Sequence, residues 1–285
     1  MNAALESALD RSNGWQARLD LRFEARAQQG KTVLAAVRHQ GPLRIQRPFH
    51  PEGDICHVYV LHPPGGVVGG DGLNIDARCE EGGQALVTTP GATKFYRSAG
   101  DTALVRQKLT VAPGASLEWL PQENIFFPGA RVNLQTEIDL AADAHLVMWE
   151  INCLGRPVIG ERFDEGALRS RLRVRVDGQP MLIEHQRTDC LRHLNATAGL
   201  RGAPMQGVLL AWQVDDALAQ SVQESLQQYT SDSLLAGATL LDGLLVVRVL
   251  GDHAERMRDV LAGVWQRLRP KMIALPAVMP RIWAT

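Results

Sequence analysis

A mainly β fold with two α-helices in its C-terminal half is what this 285-residue sequence predicts. Three observations point there. Apolar and polar residues alternate with period two through many short runs. Asp177-Gly178 and Asp242-Gly243 fall between apolar runs, as tight hairpin turns do. Helical spacing of apolar residues is convincing in two segments, both late, so strands followed by helices suggest an α+β C-terminal part.

The elements follow in order. Residues 18–26 alternate, with Leu19, Leu21 and Phe23 on one face. Gln28-Gln29-Gly30-Lys31 then turns the chain into residues 32–37, a predicted hairpin. Residues 61–73 read Leu-His-Pro-Pro-Gly-Gly-Val-Val-Gly-Gly-Asp-Gly-Leu. Such a glycine cluster implies positive φ or close approach of other atoms, and Asp71 adds a charge to it. No start within it gives the glycine spacing of a dinucleotide fingerprint, and Lys94 lacks the Gly-Lys-Ser/Thr context of a phosphate loop. Residues 74–79 alternate like a strand, where a phosphate loop would open a helix. Turns between strands remain the plain reading of the cluster.

Val132, Leu134, Thr136, Ile138 and Leu140 alternate with polar residues, a half-buried strand with one wet face. Leu172, Val174 and Val176 alternate with Arg171, Arg173 and Arg175, and Asp177-Gly178 leads to an apolar run at 181–185. The row Arg169, Arg171, Arg173 and Arg175 reads as a solvated face or as a dock for an acidic partner. A first helix is predicted by Leu218, Val222, Leu226 and Tyr229 after Asp215 and Asp216. A second is predicted by Met257, Val260, Leu261, Val264 and Leu268, with Asp252 and Glu255 at capping-box spacing and Pro270 as its end. The chain reads as one domain over 1–285, with a weak internal boundary near 199–204.

Composition narrows the function. A net charge of -1 gives no reason for nucleic-acid binding. No apolar run approaches a membrane span, and the N-terminal residues lack an apolar signal core, so a cytoplasmic protein is expected. Cys56, Cys79, Cys153 and Cys190 form no C-x-x-C pair and read as buried thiols, with soft metal ligation the minority reading. No nucleophile elbow and no His-Glu-x-x-His helix occurs.

Three acids stand in apolar surroundings: Asp71, Glu150 and Glu184. A buried carboxylate is costly unless paired, hydrogen-bonded or metal-bound. Each can point to water or meet an arginine; together they can line a wet route for a cation. Cys190 and His193 have metal-site spacing, with His185 close by; the alternative is a polar loop with ordinary histidines.

Four stretches then carry a resemblance. They are residues 64–71, Pro-Gly-Gly-Val-Val-Gly-Gly-Asp; residues 88–98, Thr-Thr-Pro-Gly-Ala-Thr-Lys-Phe-Tyr-Arg-Ser; residues 117–123 with Phe126, Pro128 and Gly129; and the terminal Pro-Arg-Ile-Trp-Ala-Thr. Together, in this order, they resemble the urease accessory proteins called UreD, or UreH in some organisms. The resemblance implies a β-helix-like stack of strands with two helices. It also implies a maturation factor, not an enzyme, that binds UreF, UreG through UreF, and apo-urease. Nickel would pass transiently to urease, with no tightly bound cofactor. Asp71, within the glycine motif, is the foremost expected passage residue; Asp54, Glu150 and Glu184 join it from setting and family position. Thr88, Thr89, Lys94, Tyr96 and Arg97 are expected to shape the site or a partner surface. A metal-dependent hydrolase using the same acids is the alternative, as is a pure interaction module.

Overall fold

The computed structural model describes residues 14–26, 30–189 and 191–284. The chain shuttles between two sheets, of seven and eleven strands. β1 (Gln16–Arg26) and β2 (Lys31–Gln40) open the seven-stranded sheet; β3 (Arg44–Ile45) and β4 (Cys56–Leu61) open the other. β5 (Gly72–Cys79) returns to the first, and β6 (Gln84–Thr88), with β7 (Thr93–Phe95) at the corner, goes back to the second. The same circuit repeats through β8 (Ala103–Val111), β9 (Ser116–Leu120) and β10 (Asn124–Phe126), then β11 (Arg131–Leu140), β12 (His145–Arg156) and β13 (Glu161–Arg162). β14 (Ala167–Val176) and β15 (Gln179–Thr188) close the first sheet; β16 (Met205–Trp212), β17 (Leu234–Leu241) and β18 (Leu244–Gly251) close the second.

Parallel pairing of β1, β5, β8, β11 and β14 on one side, and of β4, β6, β9 and β12 on the other, makes a β-solenoid of about four turns. Inward residues stack in rows. Leu21, Ala77, Leu109, Ile138 and Val174 face one another across five strands, each at most 1% exposed. The outward face carries a charged ladder: Arg173 and Arg175 meet Glu137 and Asp139 of the adjacent strand, at 2.8 to 3.6 Å. The arginine row thus lies on the wet face and shares its acids.

Both Asp-Gly turns form as read. Asp177 and Gly178, and Asp242 and Gly243, all have positive φ, joining β14 to β15 and β17 to β18. The β1–β2 hairpin is present, although residues 28 and 29 of its turn lie outside the described residues.

Three α-helices occur among the described residues: α1 (Leu191–Asn195), α2 (Asp216–Leu226) and α3 (Ala254–Met272). The Asp215 side chain caps α2 by accepting from the Leu218 N–H at 2.7 Å. Two details of α3 differ from expectation. Its N-cap is His253, without a side-chain bond, so Asp252 stands one residue too early to cap. Pro270 lies inside the helix and does not end it. A proline in the last turn forfeits few bonds, and the buried side chains of Arg269 and Met272 hold that turn to the sheet.

The hold is ionic as well as apolar. α2 and α3 cover the outer face of the eleven-stranded sheet in a second apolar cluster around Trp265. Arg269, 1% exposed, donates to both oxygens of Glu118 at 2.9 and 3.1 Å and pairs with Glu52 at 2.5 Å. The Trp265 indole N–H also donates to Glu118. Burial pushes the Glu118 carboxyl up, while Arg269 and these hydrogen bonds pull it down.

Candidate functional site

The strand-to-strand corners of successive turns lie over one another, and they are the motif stretches. Val67 bridges to Phe95, Phe95 pairs with Phe126, and Phe126 pairs with Leu154, all in parallel. The rings of Phe95 and Phe126 stack 4.8 Å apart. Backbone bonds tie the corners: Val67 N–H donates to Lys94 at 2.7 Å and Thr93 N–H to Glu123 at 2.9 Å.

This stacking explains the glycine cluster. A Cβ on Gly66 would lie 2.4 Å from the Tyr96 ring, and Gly70 has φ +88°. The Asp71 carboxylate is spent on backbone, accepting from Trp15 N–H at 2.8 Å and Val68 N–H at 2.9 Å. It ties β1 to the corner, and its charge acts on His62, whose pKa burial lowers on balance.

Two cavities lie between the sheets and share Glu150 as a lining residue. The smaller, about 230 Å³, is lined at one end by the motif corners, including Gly65, Gly66, Thr89 and Lys94. The larger, about 800 Å³, extends between β14–β15 and β16–β18 and is lined by Glu184, His185 and Arg248. Glu150, 8% exposed, lines both.

A chain of side chains runs through Glu150. Gln107 donates to the Thr136 hydroxyl at 3.2 Å, which donates to Glu150 at 3.3 Å. From the other side Asn124 donates to Asn152 at 3.1 Å, and Asn152 to Glu150 at 2.8 Å. Burial raises the Glu150 pKa above the usual carboxylate range, and the Asn152 and Thr136 bonds offset part of that rise. The group is therefore a buried carboxyl held by neutral donors, without a buried countercharge among these contacts.

The expected site residues separate accordingly. Glu150 and Glu184 share the larger cavity with His185 and His193. Asp71 lines neither cavity, and Asp54 is exposed, its carbonyl accepting from Thr32 N–H at 2.9 Å. Cys190 lies outside the described residues. His193 pairs with Asp189 at 2.8 Å, and no group of three His, Cys, Asp or Glu side chains converges among the described residues to hold a metal.

Thr88 donates to the Leu120 carbonyl at 2.5 Å and accepts from the Trp283 indole at 2.9 Å. Thr89 accepts from Gln122 N–H at 2.9 Å. Tyr96 donates to the Gly65 carbonyl at 3.0 Å. These three brace the corners and dock the Arg-Ile-Trp stretch, where Trp283 packs on Trp149 and Trp265. Lys94 is exposed beside the smaller cavity, and Arg97 forms an exposed pair with Glu165.

Sequence reasoning missed Gln107, Asn124, Thr136 and Asn152. The available signal was a polar residue in apolar phase: Gln107 follows Ala103 and Val105 inward, and Thr136 follows Val132 and Leu134. Glu118, in the fully buried run Ser116–Leu120, carried the same signal.

The fold and its cavities define a β-solenoid protein with an apolar core and a buried polar cluster around Glu150. The chain belongs to the UreD family of urease accessory proteins, whose family model matches residues 16–284. It is 52% identical to a urease accessory protein UreD from Alcanivorax borkumensis over 280 residues, covering 98% of this chain and 95% of that one. It is 50% identical to the Klebsiella aerogenes UreD over 274 residues, covering 95% and 97%. A Pseudomonas putida UreD is 47% identical over 272 residues, covering 95% of each. Relatives named as accessory proteins point to a maturation factor rather than an enzyme. No helix among the described residues is long and apolar enough to cross a membrane.

Proposed function

We propose that this chain is a scaffold that binds apo-urease and UreF, with UreG through UreF, and passes nickel to urease between its two sheets. The observation that carries this reading is that the buried Glu150 lines both cavities. The route runs from the motif corners, past the Gln107–Thr136–Glu150–Asn152–Asn124 chain, to Glu184 of β15. Carboxylate, amide and hydroxyl oxygens suit a divalent cation in transit. Donors drawn from separate strands hold it loosely enough to release, as conduction requires. On this reading Asp71 shapes the entrance by fixing its backbone, and nickel is cargo, with no tightly bound cofactor.

The test is nickel per urease after co-expression of the urease genes with Glu150→Ala and Glu184→Ala, alone and combined. Both variants are expected to retain UreF and apo-urease in pull-downs while the nickel content falls. Normal nickel content in the double variant would sink the passage.

A further inference from the structure

Among the charges of the larger cavity, Arg248 is one that the route leaves unexplained. Arg248 faces inward from β18, the one exposed position in an otherwise mostly buried strand. Cross-strand register places it in the row Glu150, Val208, Arg248, Gly237, so it shares the inner face with Glu150. Two strand spacings separate them, roughly 10 Å. The facing row of the other sheet runs Gln107, Thr136, Leu172, Glu184. The two rows touch twice: Thr136 on Glu150, and the Arg248 guanidinium on the Glu184 carboxylate. A second tie, between Gln206 and Gln186, crosses the same cavity next to the ion pair.

We propose that Arg248 is the gate of the larger cavity, occupying Glu184 until a divalent cation displaces it. The inference rests on the passage reading above and adds its regulation. A guanidinium bound to a carboxylate neutralises it and repels a second cation at the same oxygens. Removal of the guanidinium leaves the Glu184 carboxylate open toward the cavity. The structure also supplies room for the swing. Opposite Arg248, β17 carries Gly237, and a Cβ built there meets nothing within 4 Å. A larger residue at that position would fill the space into which the arginine turns.

The experiment is equilibrium dialysis of the purified full chain against Ni²⁺, for wild type, Arg248→Ala, Glu184→Gln and the double variant. Arg248→Ala is expected to bind Ni²⁺ about fivefold more tightly, the scale of an exposed ion pair that no longer has to be broken. The double variant should lose that gain, and Arg248→Lys, which restores the charge, should bring the affinity back toward wild type. An unchanged affinity in Arg248→Ala overturns the gate, and so does a gain that persists without Glu184. Urease nickel content separates the two ideas. A normal content in the Glu150 and Glu184 variants removes the passage whatever the dialysis shows. A reduced content with flat dialysis removes the gate alone.

Discussion

Replacing Asp71 with alanine should unfold the entrance corner, and the size of the effect follows from its two bonds. The carboxylate accepts from Trp15 N–H and Val68 N–H at 2.8 and 2.9 Å and is 7% exposed. A hydrogen bond to a charged group contributes about 1.5–3 kcal/mol, and two partly buried ones at the low end give about 3 kcal/mol. For a chain of this length that is a fall in Tm of roughly 6 °C. Asp71→Asn keeps one acceptor oxygen and turns the other into a donor facing an N–H, so it should recover no more than about half. The assay is thermal and urea unfolding of the purified chain, with urease nickel measured per folded molecule. Nickel delivery should then follow the folded fraction. Wild-type melting in Asp71→Ala would refute the backbone-clamp argument. Wild-type melting of Asp71→Asn with nickel delivery abolished would make Asp71 a group that handles the cation itself.

Two further outcomes concern the buried cluster under α3. Arg269→Met leaves Glu118 and Glu52 without their guanidinium, which should cost about 3–5 kcal/mol, while adding Glu118→Leu should restore part of the loss, Glu52 staying unpaired; a urea double-mutant cycle measures the Arg269–Glu118 coupling, and additive effects would contradict it. The His57 pKa, in a side chain 1% exposed, is lowered from 6.5 to about 4 by burial, then by the charges of Arg269 and His50. Its folded pKa lies below the unfolded one, so the unfolded chain binds the extra proton between those values. Stability should be whole above pH 6.5 and fall by about 3 kcal/mol as pH drops toward 4; His57→Gln should flatten that part of the pH–stability curve, and an unchanged slope would contradict the assignment.

Much of the fold was legible because strand alternation records which face is buried. The inward sets of β1, β11 and β14 read correctly from sequence, as did both Asp-Gly turns, whose positive φ suits those residues. The coil itself was not legible in the alternation; the β-helix-like stack was expected from the family resemblance alone, and the structure has it. Parallel stacking asks only that inward positions be apolar, so successive turns need no shared residues, and corners as different as residues 64–66 and 89–92 can lie over one another. Glu150 was visible as an acid in an apolar strand, yet the chain that holds it draws on three positions of three other strands, Gln107, Thr136 and Asn124, and on Asn152 of its own strand. Asp71 had the same outward sign and a different use, because the sequence does not show which N–H groups a tight corner leaves unpaired. Pro270 misled for a related reason: propensity describes an isolated helix, and α3 is held through its last turn by Arg269.

That same arginine changes how the molecule should come apart. In a coil whose strands touch mainly their neighbours, free energy is nearly a sum over adjacent turns, and the stack can fray from either end. Arg269 bonds Glu118, 151 residues earlier in the chain, and also reaches Glu52 in the loop before β4. Early turns, middle turns and the last long helix therefore share one buried charge balance. The stack cannot shed its final helix without stranding two carboxylates in its interior, so loss of that helix and loss of the turns beneath it become a single cooperative event.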